Sequence, residues 1–194
     1  MKQKLALFLA ILGWMAVILQ FYLMMETSTI TRLESVIRFF SYFTILSNLI
    51  LAISFLIQAF QKETIGILTP ITVYITIVGL VYQILLRHTW SPTGLQMIVD
   101  ELLHSIIPGL VIIYWFVYED DEISYNQIPK WLIFPLVYLF YILIRGHYSG
   151  FYPYPFVDVS KFGLNQVFIN SGLLIVVFIL FCVLFVWIRN RNLK

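Results

Sequence analysis

The fold is decided by residues 172–188, Gly172-Leu173-Leu174-Ile175-Val176-Val177-Phe178-Ile179-Leu180-Phe181-Cys182-Val183-Leu184-Phe185-Val186-Trp187-Ile188, a run without a charge. A helix rises about 1.5 Å per residue, so about 20 such residues cross about 30 Å of hydrocarbon. Working outward, five more runs of this kind precede it, giving six spans at about 5–25, 36–60, 67–87, 98–118, 131–148 and 166–188. Transmembrane barrels use shorter strands of alternating polarity, whereas these runs are continuously apolar, so the spans are helical. The connections are short, and 1–194 reads as one all-α integral membrane domain, a six-helix bundle with no internal repeat.

Composition agrees with that reading. Hydrophobic residues make up 61% of the chain and charged ones 11%, with a mean hydropathy of +0.91. A soluble domain carries about 25% charged residues, so a soluble globule and a disordered chain are both excluded. The net charge of +2 offers no basic surplus for a nucleic-acid partner. The single cysteine, Cys182, cannot form an intramolecular disulfide and reads as a small buried hydrophobe.

The first run follows Lys2 and Lys4, as a signal peptide does, but it ends in Met24-Met25-Glu26 without a small-residue cleavage site, so it reads as a retained span. Orientation follows from counting basic residues on alternate sides. Lys2, Lys4, Lys62, Lys130, Arg189, Arg191 and Lys194 stand against Arg32, Arg38, Arg87, Arg145 and Lys161. Arg38, Arg87 and Arg145 sit at or within span ends, which strengthens the bias and places both termini in the cytoplasm. The acidic stretch Glu119-Asp120-Asp121-Glu122 then falls inside, where acids weigh little.

This topology gathers polar residues at the outer end. Arg38, Ser41, Thr44 and Asn48 open span two; Asp100, Glu101 and His104 open span four; Arg145 and His147 close span five; Asn165, Gln166, Asn170 and Ser171 open span six. Ionisable residues within spans cost about 2.5–3.5 kcal/mol at mid-membrane and mark functional interiors. At about 100° per residue, Ser41, Thr44 and Asn48 form one stripe. Asp100 and Glu101, four and three residues before His104, are rival partners for its ring. Counted from the span starts, Thr44 and His104 lie roughly 12 and 9 Å from the same surface, so a hydroxyl and a base can meet. Pro108 removes a hydrogen bond to the carbonyl of His104 and predicts a bend there with a free acceptor in the site, while Pro70 and Pro135 read as packing kinks.

Each of these residues also has a plain structural role open to it. A threonine within a span bonds its own backbone, here the carbonyl of Phe40, and Asn48 is typical interhelical glue. Arg38, Arg87 and Arg145 suit headgroup anchoring or pairing with a lipid carboxylate. His88, beside Trp90 and Ser91-Pro92, reads as loop. The stretch from Gly150 to Asp158, rich in aromatics and prolines, suits the headgroup layer, either as an aromatic belt or as a cap over the polar end.

The string Phe39-Phe40-Ser41-Tyr42-Phe43-Thr44-Ile45-Leu46-Ser47-Asn48, with Leu103-His104-Ser105-Ile106-Ile107-Pro108 and Tyr152-Pro153-Tyr154-Pro155-Phe156, resembles a bacterial family of six-span membrane proteins. That family is similar to the animal androgen-induced protein and the androgen-dependent TFPI-regulating protein. The resemblance implies a membrane hydrolase of fatty acid esters of hydroxy fatty acids, placed in a bacterial inner membrane. It puts the nucleophilic threonine on Thr44 and the histidine on His104, and marks His147 as a family position. This chain departs from the animal pattern in carrying Asp100-Glu101 before the histidine and Ser47 after the threonine.

The leading expectation is therefore cofactor-free hydrolysis of a lipid ester by a Thr44–His104 dyad. Asp100 or Glu101 orients the ring, Ser41 or Asn48 donates to the oxyanion, and Arg38 or Arg145 holds a substrate carboxylate. The partners are the ester and the surrounding lipids; nothing in the sequence speaks to oligomeric state. Two rival expectations stand beside it. His88, His104 and His147 with the two acids suggest a zinc hydrolase. The same cluster also suits a non-catalytic lipid-binding or transport protein.

Overall fold

The computed structural model describes residues 1–61, 66–119 and 122–192. Lys62 and Lys194 of the basic count, and Asp120 and Asp121 of the acidic stretch, lie outside the described residues. Among the described residues, six helices are long and apolar enough to cross a membrane: Lys2–Thr27, Phe43–Phe60, Leu68–Thr89, Gly94–Tyr118, Tyr125–Ser149 and Val159–Arg191. The protein is all-α and its helices are those of an integral membrane protein. The chain forms two compact units, Met1–Asp121 and Glu122–Lys194.

In the first unit, α1 (Lys2–Thr27) buries Ala6, Leu9, Ala10, Gly13, Ala16 and Val17 along one stripe. This stripe faces α3 (Phe43–Phe60). Gly13 sits so close to that helix that an added Cβ would lie 3.1 Å from Cβ of Ala52. Lipid tails are as apolar as leucine, so spans gain little hydrophobic drive from meeting; small residues let the backbones approach closely enough for dispersion contacts. The first unit continues through α4 (Leu68–Val81), α5 (Gly94–Glu101) and α6 (Ile107–Tyr118). Phe55, Val73, Ile75, Val99, Val111 and Trp115 are among its fully buried side chains.

The predicted continuous span 36–60 is corrected. Its first part belongs to α2 (Arg32–Phe39), and membrane-length helix resumes only at Phe43. Thr31 caps α2 by accepting from the Glu34 amide at 3.4 Å, and Leu33 and Ile37 are exposed, which suits a helix lying along the membrane surface. The break has a local cause. The Ser41 and Tyr42 amides reach back only three residues, to the carbonyls of Arg38 and Phe39 at 3.0 and 3.3 Å. The Ser41 hydroxyl meanwhile donates to the Ile37 carbonyl at 2.7 Å, a back-bond that bends helices. Tyr42 is then extended, and α3 starts afresh. Ser41 therefore lies outside the helix that carries Thr44 and Asn48, and the three do not form one helical stripe.

Two π turns interrupt the remaining spans of this unit. One, Tyr82–Leu86, follows α4; the other, Leu102–Ile106, joins α5 to α6. Each widens the backbone ladder by one residue, as the amides of Arg87 and Ile107 bond the carbonyls of Tyr82 and Leu102. Pro108 is the second residue of α6, one place after the second turn, so the missing amide falls where the ladder is already displaced. The His104 carbonyl lies over Gly79 of α4, 3.1 Å from where a Cβ would stand, so the expected acceptor faces a helix backbone. Pro70 and Pro135 fall in the first turns of α4 and α8 and mark helix starts rather than kinks.

The second unit holds α7 (Ile128–Trp131), α8 (Ile133–Ser149) and α9 (Val159–Asn192), the last broken at Gly163 by a φ of 74°. Asn190 ties the end of this unit to its beginning: its carboxamide donates to the Ile123 carbonyl at 2.9 Å and accepts from the Ile123 amide at 3.3 Å. Helix α8 ends on Gly150, whose left-handed φ of 67° lets its amide reach the Gly146 carbonyl at 2.9 Å. The Tyr152 ring then folds back onto Gly146, which has no side chain to oppose it.

Candidate functional site

Thr44 is the second residue of α3, a position created by the break at Phe40–Tyr42. Its Oγ1 lies 3.4 Å from Nε2 of His104 in the π turn between α5 and α6. The equal depths expected from Val36 and Ile98 do not carry over, because the helices begin at Phe43 and Gly94. What joins the two side chains is packing of the start of α3 beside the π turn.

The other ring nitrogen identifies the tautomer. Nδ1 of His104 lies 2.9 Å from the Asp100 backbone carbonyl, an oxygen that can only accept. Nδ1 therefore carries a proton, and Nε2 is the nitrogen that faces the threonine hydroxyl. One carboxylate oxygen of Asp100 stands 3.4 Å from the same Nδ1. The two acids left open by sequence are thus separated. Asp100 is buried and faces the imidazole, whereas Glu101 pairs with Arg87 and accepts from the Ser105 hydroxyl at 2.6 Å.

Tyr82 is the residue the sequence reading missed. Its hydroxyl donates to Asp100, and its ring stacks on His104 with centroids 4.1 Å apart and planes 15° apart. Asp100 is thus held on two sides, and the imidazole is held by its Nδ1 hydrogen bond and by one ring face. The available signal was position, since Tyr82 sits near the same end of span three that Asp100 occupies in span four. Intramembrane tyrosines attract less notice than charges, because a phenol is ordinary in an apolar helix.

Ser41 and Asn48 were expected to donate to an oxyanion, and their recorded bonds run elsewhere. The Ser41 hydroxyl donates to Ile37, and Nδ2 of Asn48 donates to the Thr44 backbone carbonyl at 2.9 Å. Asn48 thereby ties the nucleophile's own peptide to the next turn, and its Oδ1 is buried without a partner among the described residues. Arg38 pairs with Glu34 at 2.8 Å. Arg145 and His147 belong to the second unit, where Nη1 of Arg145 donates to the Phe151 carbonyl at 3.5 Å and His147 is exposed. His88 is exposed in a 3-10 turn, Arg87–Thr89.

The arrangement offers a hydroxyl, an imidazole whose Nε2 faces that hydroxyl, and a carboxylate behind the ring. Thr44 also stands at the amino end of α3, where aligned peptide dipoles favour negative charge. Among the described residues, no group of three His, Cys, Asp or Glu side chains is placed to hold a metal ion. No family model, no curated protein and no solved structure matches this chain, so the site is defined by its own geometry.

Proposed function

We propose that this integral membrane protein hydrolyses lipid esters through an acyl-enzyme, with Thr44 as nucleophile and His104 as its base. The observation that carries the reading is the Thr44 Oγ1 to His104 Nε2 approach of 3.4 Å, with Nδ1 committed to Asp100. A threonine hydroxyl is a weak nucleophile at its own pKa and needs such a base. Separations of this length are common before substrate arrives and shorten as the reaction geometry forms.

Oγ1 of Thr44 attacks the ester carbonyl while Nε2 of His104 takes its proton. The carbonyl electrons move onto oxygen, and the amino-end dipoles of α3 oppose that charge. As the tetrahedral centre collapses, the C–O bond to the alcohol breaks and His104 returns the proton to the leaving oxygen. Water then attacks the acyl-threonine with His104 again as base, releasing a fatty acid and restoring the hydroxyl. Asp100 keeps the ring in its reactive tautomer and balances the imidazolium.

The same threonine and histidine are those on which the resemblance of Phe39–Asn48 and Leu103–Pro108 falls. Fatty acid esters of hydroxy fatty acids are the substrate class it implies. With both termini cytoplasmic, as the count of basic residues implies, the site lies on the outer-leaflet side of a bacterial inner membrane, where the path for water to the acyl-enzyme is short.

The test is intact-protein mass spectrometry after treatment with a fluorophosphonate probe in detergent, comparing the parent with Thr44→Ala and His104→Ala. One adduct on the parent, absent from both folded variants, is the expected result. A folded parent that never labels, across fluorophosphonate and activated-ester probes, turns the site into a lipid-binding one.

A further inference from the structure

We propose that Tyr82 is a positioning residue for His104, acting through Asp100, so that its hydroxyl sets the rate at which Thr44 is activated. The inference rests on the Thr44–His104 reading and adds a residue that its chemistry does not itself require. Three observations carry it. The Tyr82 hydroxyl donates to one carboxylate oxygen of Asp100, while the other oxygen lies 3.4 Å from Nδ1 of His104. The Tyr82 ring lies flat against the imidazole at 4.1 Å. Tyr82 is itself only 4% exposed, so its hydroxyl has no bulk water to exchange for the carboxylate.

These contacts restrict different motions. A carboxylate has two oxygens and can swing about its own axis; fixing one oxygen aims the other. An imidazole can tilt about its Cβ–Cγ bond; a stacked ring on one face limits that tilt. Both depend on where the backbone puts Tyr82, and Tyr82 opens one π turn while His104 lies within the other. The first turn shifts the helix register by one residue, which sets the face taken by Arg87 just after it. The Arg87 guanidinium also lies over the Tyr82 ring, 5.8 Å from its centroid, and pairs with Glu101. That pair keeps the second acid away from the imidazole, leaving Asp100 to act alone.

The distinguishing variants are Tyr82→Phe, which keeps the ring and removes the hydroxyl, and Tyr82→Leu, which removes both. The readout is the second-order rate of fluorophosphonate labelling, with the unfolding midpoint of each purified variant followed by tryptophan fluorescence. Tyr82→Phe is expected to slow labelling by about tenfold, the order of one hydrogen bond to a charged group, in a variant that stays folded with a lowered midpoint, because the buried Asp100 loses a donor. Tyr82→Leu is expected to slow it further.

The decisive comparison is made in Asp100→Ala, which leaves the Tyr82 hydroxyl no side-chain oxygen at position 100 to bond. If Tyr82 acts through Asp100, removing its hydroxyl in that background changes the labelling rate less than twofold. Tyr82→Phe labelling at the parent rate overturns the proposal and leaves the dyad standing. An equal tenfold loss with and without Asp100 also overturns it, because Tyr82 then acts by another route. A folded parent that does not label overturns the hydrolase reading and this proposal together.

Discussion

The first unit contains two buried acid clusters with similar parts. In one, Asp100 accepts from Tyr82 and stands behind His104, which faces Thr44. In the other, Glu119 accepts from the Thr69 hydroxyl at 2.8 Å, and that hydroxyl accepts from the Trp115 indole at 2.7 Å. The acids are 5% and 4% exposed, and each threonine is the second residue of a spanning helix. What differs is the group facing the threonine. Thr69 has one proton and gives it to a carboxylate, closing a relay that satisfies three buried polar groups. Thr44 faces Nε2 of an imidazole whose Nδ1 is held by the Asp100 carbonyl, the arrangement a proton acceptor needs. Hydroxyl, acid and aromatic donor therefore make a structural lock in one place; adding an oriented imidazole makes the other a candidate nucleophile.

The comparison breaks most visibly if the threonines are interchangeable. Thr44→Ala and His104→Ala are expected to abolish fluorophosphonate labelling, a loss of at least about 10³-fold, with unfolding midpoints near the parent's. Thr69→Val is expected to label within twofold of the parent. Labelling that survives Thr44→Ala or disappears in folded Thr69→Val reverses the assignment.

Asp100→Asn sharpens the point by leaving shape intact. It is expected to slow labelling by about 10²-fold, less than the roughly 10⁴-fold of a serine triad. The Asp100 backbone carbonyl still holds Nδ1 in the variant, at the 2.9 Å recorded here. A loss below threefold means the carbonyl alone orients the ring.

The second cluster is expected to show in stability instead. Thr69→Val leaves the buried Glu119 and the Trp115 indole short of a partner and is expected to cost about 1–3 kcal/mol, read as a lower unfolding midpoint in detergent. An unchanged midpoint means water replaces the hydroxyl and the relay is not a lock.

The mildest change tests the helix contact beneath the site. At Gly79 a methyl would stand 3.1 Å from the His104 carbonyl and 3.3 Å from Pro108 Cβ, too close to fit without movement. Gly79→Ala is expected to destabilise by about 1 kcal/mol and slow labelling a few-fold, because the π turn that carries His104 must shift. A variant with the parent's midpoint and rate shows that α4 and α6 separate without cost.

Much of this architecture is legible in the sequence. A lipid-facing helix must be apolar over its whole length, so each span declared itself as a continuous run, and the run 172–188 alone excluded a soluble fold. The same cost made Asp100 and His104 conspicuous, since ionisable groups within spans are rare. The break before α3 was hidden. No proline or glycine marks it, and it arises where Phe39 packs edge-on against Phe21 of α1 at 5.0 Å while Ser41 bonds back to Ile37. Tyr82 was hidden for a related reason, because a π turn is a choice of hydrogen-bond register rather than a composition.

Sequence alone established the six apolar helices and the pairing of an acid with a histidine one turn later, because burial in lipid and helix periodicity act through residue type and spacing. Tertiary structure decided which acid faces the histidine, where α3 begins, and that Thr44 rather than Thr69 meets an imidazole. Those outcomes depend on side chains distant in sequence competing for the same few polar atoms. The choice between Asp100 and Glu101 was settled in that way, when Arg87 and Ser105 engaged one and Tyr82 the other.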